Sequence, residues 1–164
     1  MKLIDGLKLI GSPAEIPDCG RDDLPQFFVE MGFKVGVEIG VYKGEFSLKL
    51  AQARLSLYAI DPWRIDTGPV DSRPQDKLDQ MYEETKKVLD PYPNCKIIRK
   101  TSMEAVEGFE DESLDFVYID ANHEFRYIAE DLAEWTRKVK PGGIVSGHDF
   151  FDARPFCGRR LRGR

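Results

Sequence analysis

An α/β fold with helices wound over both faces of a parallel sheet is what this sequence predicts, on three observations. Short apolar runs alternate with amphipathic stretches along the chain, the pattern of successive βαβ units. A glycine-bearing turn, Gly40–Gly44, directly follows a β-branched run and opens a helical stretch, as the first crossover of such a sheet requires. At 164 residues the chain is the size of one domain, enough to bury a single core.

The elements follow in order. Asp22–Met31 reads as a first helix, opened by Asp22 and Asp23, with Pro25 in its first turn and Gly32 as its stop. Lys34–Ile39 is the first strand, and Gly44–Leu55 the helix behind it, with Phe46, Leu50 and Ala53 on one face. Leu57–Ile60 is the second strand, Lys77–Leu89 a polar helix and Lys96–Ile98 a short third strand. Between them, Asp61–Gln75 carries Pro62, Gly68, Pro69 and Pro74 and reads as a long loop or lid. Leu114–Ile119 is the fourth strand, followed by a helix over Glu124–Val139 whose apolar stripe is Ile128, Leu132, Trp135 and Val139. Pro141, Gly142 and Gly143 then turn the chain into a fifth strand, Gly143–Ser146.

Composition narrows the function classes. The chain is 41% hydrophobic and 32% charged, as soluble globular proteins are, and its net charge of −5 argues against a wholly basic nucleic-acid binder. Acidic residues crowd Glu104–Glu134, which reads as a solvated face, whereas the tail 152–164 is basic, with Arg154, Arg159, Arg160, Arg162 and Arg164. Cys19, Cys95 and Cys157 are scattered without a CxxC pair, which predicts reduced thiols in a cytoplasmic protein. Asp5 and Gly6 interrupt the opening residues, and no apolar run approaches the ~18–20 residues of a membrane span. No membrane partner is expected.

The strongest local signal is E-x-G-x-x-x-G, made by Glu38, Gly40 and Gly44. Glycine there lets a ligand approach the backbone, and the amides of the helix start can receive a carboxylate. A dinucleotide fingerprint starting at Gly40 would need glycine at Tyr42 and Glu45, so a nicotinamide cofactor is not indicated. Asp61 ends the second strand, where a carboxylate either accepts from the vicinal hydroxyls of a ribose or caps the Asp-Pro turn.

The segments VEIGVYKGEFSLKLA, YAIDPW, FVYIDANHEFRYIAEDLAEW and VKPGGIVSGHDFF, in that order, resemble the motifs of class I S-adenosylmethionine-dependent methyltransferases. They are similar to the bacterial "methyltransferase domain 24" branch, which includes sugar and antibiotic O-methyltransferases, over about Val35–Phe151. The resemblance implies a Rossmann-like, doubly wound parallel sheet. It also implies that Glu38 meets the methionine amino group, that Gly40 and Gly44 shape the loop beneath it, and that Asp61 binds the ribose. Ser102 and Met103 would frame the adenine; Ser102 also suits a helix N-cap and Met103 the core. Tyr42 stands where the family often has a middle glycine, and Trp63 either stacks on the adenine or covers the core.

Chemistry is expected at the carboxyl ends of the fourth and fifth strands. Asp120-Ala121-Asn122-His123 follows one, His148-Asp149 the other, and these are the only 2 histidines. His148 is the preferred general base, since imidazoles titrate near neutrality, with Asp120 beside it as a catalytic or cofactor-contacting residue. Asp120 and Asp149 are also candidate ligands for Mg²⁺, although Phe150 stands where metal-dependent relatives often carry another oxygen ligand.

The expected function is O-methylation of a small hydroxylated molecule such as a sugar or secondary metabolite. Rival readings are a cofactor-binding domain without turnover and a nucleic-acid methyltransferase, the last disfavoured by the acidic body. Methyltransferases of this class add two antiparallel strands after the fifth, and DARPFCGRRLRGR has little apolar content for them. An open edge at the fifth strand is therefore expected, and with it either a symmetric homodimer or a tail folded back over the edge with Phe156 as its anchor.

Overall fold

The apolar runs form five strands: β1 (Val35–Ile39), β2 (Ser56–Ile60), β3 (Cys95–Ile98), β4 (Leu114–Ile119) and β5 (Val139–Gly147). All neighbours pair in parallel, in the order β3-β2-β1-β4-β5. The computed structural model describes residues 2–8, 19–65 and 73–148.

Helices α1 (Leu24–Glu30), α2 (Glu45–Gln52) and α3 (Gln75–Leu89) pack Phe27, Phe28, Phe46, Leu50, Leu78 and Leu89 on one face of the sheet. Helices α4 (Ser102–Val106) and α5 (Phe125–Lys138) pack Ala105, Val106 and Trp135 on the other. Phe116 and Tyr118 of β4 face the first layer, Val117 and Ile119 the second. That strand is buried on both sides, which is why its sequence is a nearly unbroken apolar run. The doubly wound architecture expected from the sequence is the one found.

Four local expectations are corrected. The first helix begins as a 3₁₀ turn, Arg21–Asp23, before α1 takes over at Leu24. Strand β5 begins at Val139, not at Gly143. Leu114 pairs with Val139 but Phe116 with Ile144, so Lys140–Gly143 form a bulge in an edge strand, with Gly142 at φ +83°. A Pro-Gly-Gly run suits such a bulge as well as a turn, because an edge strand tolerates the missing proline N–H.

On α5, Leu132 is exposed and Asp131, one position earlier, is buried instead. The N-cap of α4 is Thr101, not Ser102. Thr101 Oγ1 accepts from the Glu104 amide and the Glu104 carboxylate accepts from the Thr101 amide. The basic tail 152–164, Phe150, Phe151 and residues 66–72 of the expected loop lie outside the described residues. Among those described, no helix is long and apolar enough to cross a membrane.

Candidate functional site

The carboxyl edge of the sheet is one continuous hydrogen-bonded row. Asp61 N–H donates to Ile98, Gly40 N–H to Ile60, Asp120 N–H to Ile39 and His148 N–H to Ile119, at 3.2, 2.9, 2.8 and 3.1 Å. Each strand thus hands its first loop residue to its neighbour. Four residues singled out from the sequence stand side by side at the edge where open α/β sheets bind ligands.

A cavity of about 410 Å³ opens over Asp61, Gly40 and Asp120 of this row, within the range of small-molecule sites. Gly40, Tyr42, Asp61, Trp63, Ser102, Met103 and Asp120 line it. A second cavity of about 280 Å³ shares Gly40, Tyr42 and Asp120 with the first and adds Arg21, Glu38 and Phe46. The two meet at the glycine loop.

Packing alone already demands glycine at both ends of the loop. Gly40 has φ +87°, and a Cβ there would lie 2.0 Å from the Asp120 carbonyl oxygen. The backbone leaving β4 thus leaves no room for a side chain at position 40, which also lines both cavities. Gly44 (φ +77°) closes the loop as the N-cap of α2, with Thr85 Cγ2 2.9 Å from where its Cβ would be.

Tyr42 adopts φ +55°, a conformation costing a non-glycine residue about 1–2 kcal/mol. Both its peptide groups are held: its N–H donates to Asp61 (2.9 Å), and its carbonyl accepts from Trp63 Nε1 (2.9 Å) and Thr85 Oγ1 (3.0 Å). Tertiary hydrogen bonds replace what a glycine would give locally.

Asp61 accepts from the amides of Val41 and Tyr42 through one oxygen and from Trp63 through the other (3.0, 2.9 and 2.8 Å). It therefore caps its own turn and ties it to the glycine loop, with acceptor capacity left on the oxygen facing Trp63. Burial raises its pKa, against the three amide bonds that lower it. Trp63 is buried against the core and pins Tyr42 while forming part of the cavity wall.

Glu38 is 2% exposed; burial pushes its carboxyl up to about 8, and the Ser47 hydroxyl donating to it pulls only partly the other way. An opposite charge arriving in the smaller cavity would favour the carboxylate form.

Ser102 bridges two helices. Its hydroxyl accepts from Trp135 Nε1 (2.6 Å) and donates to the buried Asp131 carboxylate, whose pKa burial raises. Asp131 and Tyr127 also line the larger cavity. Neither was marked in the sequence, where the helical stripe had been traced through Leu132. Ser102→Ala would leave an indole N–H and a carboxylate without their partner, so a loss of about 1–3 kcal/mol is expected in urea unfolding.

Asp120 is the charge hub. Its carboxylate lies 3.2 Å from Arg21 Nη1, and its Oδ1 is 3.9 Å from both His123 Nε2 and His148 Nδ1. The two histidines converge on one carboxylate, as their loops imply. Asp149 lies outside the described residues, and among those described no group of three His, Cys, Asp or Glu side chains could hold a metal ion. With Asp120 paired to Arg21, these residues do not by themselves make a magnesium site.

A family model for the methyltransferase domain 24 type, described as a methyltransferase domain, matches residues 37–150, from the glycine loop to the end of β5 and just beyond. The chain belongs to this methyltransferase domain family. Solved structures similar to this methyltransferase domain include a candidate caffeoyl-CoA O-methyltransferase from Staphylococcus aureus. It is 20% identical, with a TM-score of 0.59, over 81% of this chain and 58% of that one. An rRNA methylase from Streptococcus thermophilus is 13% identical, with a TM-score of 0.57, over 91% and 82% of the two chains. At such identities the likeness is one of fold. An uncharacterized curated protein, y4gI of Sinorhizobium fredii, is 33% identical over 54 residues, which are 33% of this chain and 6% of that protein.

Proposed function

We propose that this methyltransferase domain binds S-adenosylmethionine across the two joined cavities and transfers its methyl group to an oxygen of a small hydroxylated molecule. The observation that carries this reading is the row Asp61, Gly40, Asp120, His148 along the carboxyl edge, with a cavity of fitting size over the first three. The buried Glu38 faces the smaller cavity, suited to a cationic amino group. The larger, walled by Trp63, Met103 and Ser102, suits an adenosine.

The cofactor supplies a methyl group on a sulfonium, already activated for transfer. The protein's task is to align the acceptor, worth up to ~7–11 kcal/mol, and to remove its proton. His148, first residue after β5 on the same sheet edge, acts as base and takes the hydroxyl proton while Asp120, 3.9 Å away, stabilises the imidazolium that forms. Asp120 and Asp149 as magnesium ligands belong to the same reading only as an arm of its test.

Calorimetry with S-adenosylhomocysteine should show binding and NAD much less. No heat with the former would overturn the cofactor assignment. Labelled S-adenosylmethionine and a panel of hydroxylated metabolites, with and without Mg²⁺ and with RNA as one arm, identifies the acceptor. His148→Ala should then lower turnover ~10²–10⁴-fold while leaving S-adenosylhomocysteine affinity unchanged. An unchanged rate would remove His148 as base. Self-association through the edge of β5 is part of the proposal, and a monomer in light scattering would refute it.

A further inference from the structure

We propose that Arg21 is the carboxylate-binding residue of this site, selecting ligands that carry an amino-acid group over those that end at the adenosine. The inference rests on the cofactor reading above.

Arg21 sits on the 3₁₀ turn ahead of α1, yet it forms a wall of the 280 Å³ cavity, with Phe46, Glu38 and Asp120 and with Lys43 and Glu45 from the glycine loop and the start of α2. Its guanidinium carbon lies 5.4 Å from the centre of the Phe46 ring, which holds the plane of the group, and Nη1 reaches Asp120. One contact to Asp120 leaves further donors of a five-donor fork for a second carboxylate.

The buried Tyr118 hydroxyl lies next to Arg21 behind the cavity wall, and burial pushes its phenol up to about 12, so it stays neutral and leaves the guanidinium charge uncompensated on that side. Glu38, the register neighbour of Tyr118 across β1 and β4, brings a buried carboxyl to the same small cavity, one that an arriving ammonium would favour as carboxylate. An α-amino acid carries an ammonium and a carboxylate on one carbon. A cavity offering one buried carboxyl and one stacked guanidinium matches both.

An ordinary surface ion pair between Arg21 and Asp120 would contribute little and would be indifferent to which ligand arrives. That difference sets the experiment. Calorimetry on the full chain compares S-adenosylhomocysteine with 5′-methylthioadenosine, which has the adenosine and sulfur but no amino-acid end. The wild type is expected to prefer S-adenosylhomocysteine. Arg21→Ala should weaken that ligand roughly tenfold to a hundredfold, leave 5′-methylthioadenosine within twofold, and so erase the preference. Arg21→Lys, which keeps the charge but not the fork, should recover part of it. Equal losses for both ligands would make Arg21 a structural residue and overturn the proposal, as would an unaltered affinity for S-adenosylhomocysteine. A wild type that binds 5′-methylthioadenosine but shows no preference overturns it while sparing the adenosine pocket. A wild type that binds neither overturns both readings.

Discussion

Gly40→Ala is expected to cost about 3 kcal/mol or more in urea unfolding and to abolish calorimetric binding of S-adenosylhomocysteine. The added Cβ would sit 2.0 Å from the Asp120 carbonyl oxygen and 2.8 Å from the Ala121 Cα. Both are backbone atoms, and neither can swing aside. Relief requires β1 and β4 to part where Asp120 N–H bonds to Ile39, which displaces Asp120 and the loop bearing His123 together. The backbone at φ +87° adds its own strain for any L side chain. Gly44→Ala is the control: its nearest obstacle is a methyl of Thr85 at 2.9 Å, which has room to yield, so a smaller loss of about 1–2 kcal/mol is expected. A Gly40→Ala protein as stable as the wild type would show that the strands separate freely there. A ligand-proximity role alone would instead leave stability intact and remove only binding.

That distinction marks what a sequence can and cannot disclose. Gly40 was conspicuous from its spacing to Glu38 and Gly44, but the partner demanding it, the Asp120 backbone, is brought close only by β1–β4 pairing. Strand β4 was legible because burial on both faces writes a nearly unbroken apolar run. The start of β5 was not, since Lys-Pro-Gly-Gly is equally good chemistry for a turn and for a bulge. Asp131 was invisible for a different reason. A buried carboxylate next to Leu132 reads as solvated unless one knows that the Ser102 hydroxyl reaches it from another helix. Arg21 carries no local signature, because its meaning comes from a contact 99 residues along the chain.

Glu38→Gln should separate stability from binding, with opposite signs. The carboxyl titrates near 4.5 when unfolded and at about 8 in the folded protein, with burial the principal cause. A raised folded pKa contributes stability that is complete below the unfolded value and is lost as pH climbs through the folded one. The ligand-free protein should therefore lose thermal stability between about pH 4.5 and 8, a slope that Glu38→Gln flattens. By about pH 8 the variant should melt higher than the wild type, since a neutral amide avoids placing a bare charge at a site 2% exposed.

Binding runs the other way. A ligand ammonium favours the carboxylate, so wild-type affinity for S-adenosylhomocysteine should rise as pH approaches about 8, with a proton released on binding at lower pH. Near pH 8, Glu38→Gln should bind roughly tenfold to a hundredfold more weakly, the scale of losing hydrogen bonds to a charged group. Toward pH 6 the two proteins should converge, because the wild-type side chain is by then a neutral acid too. Thermal melts and calorimetry from pH 6 to 8.5, the latter in buffers of different ionisation enthalpy, read both trends. A wild-type affinity that stays flat across that range, with no proton released, would mean that Glu38 does not meet the ligand's cationic end and serves only to anchor Ser47 beneath the loop.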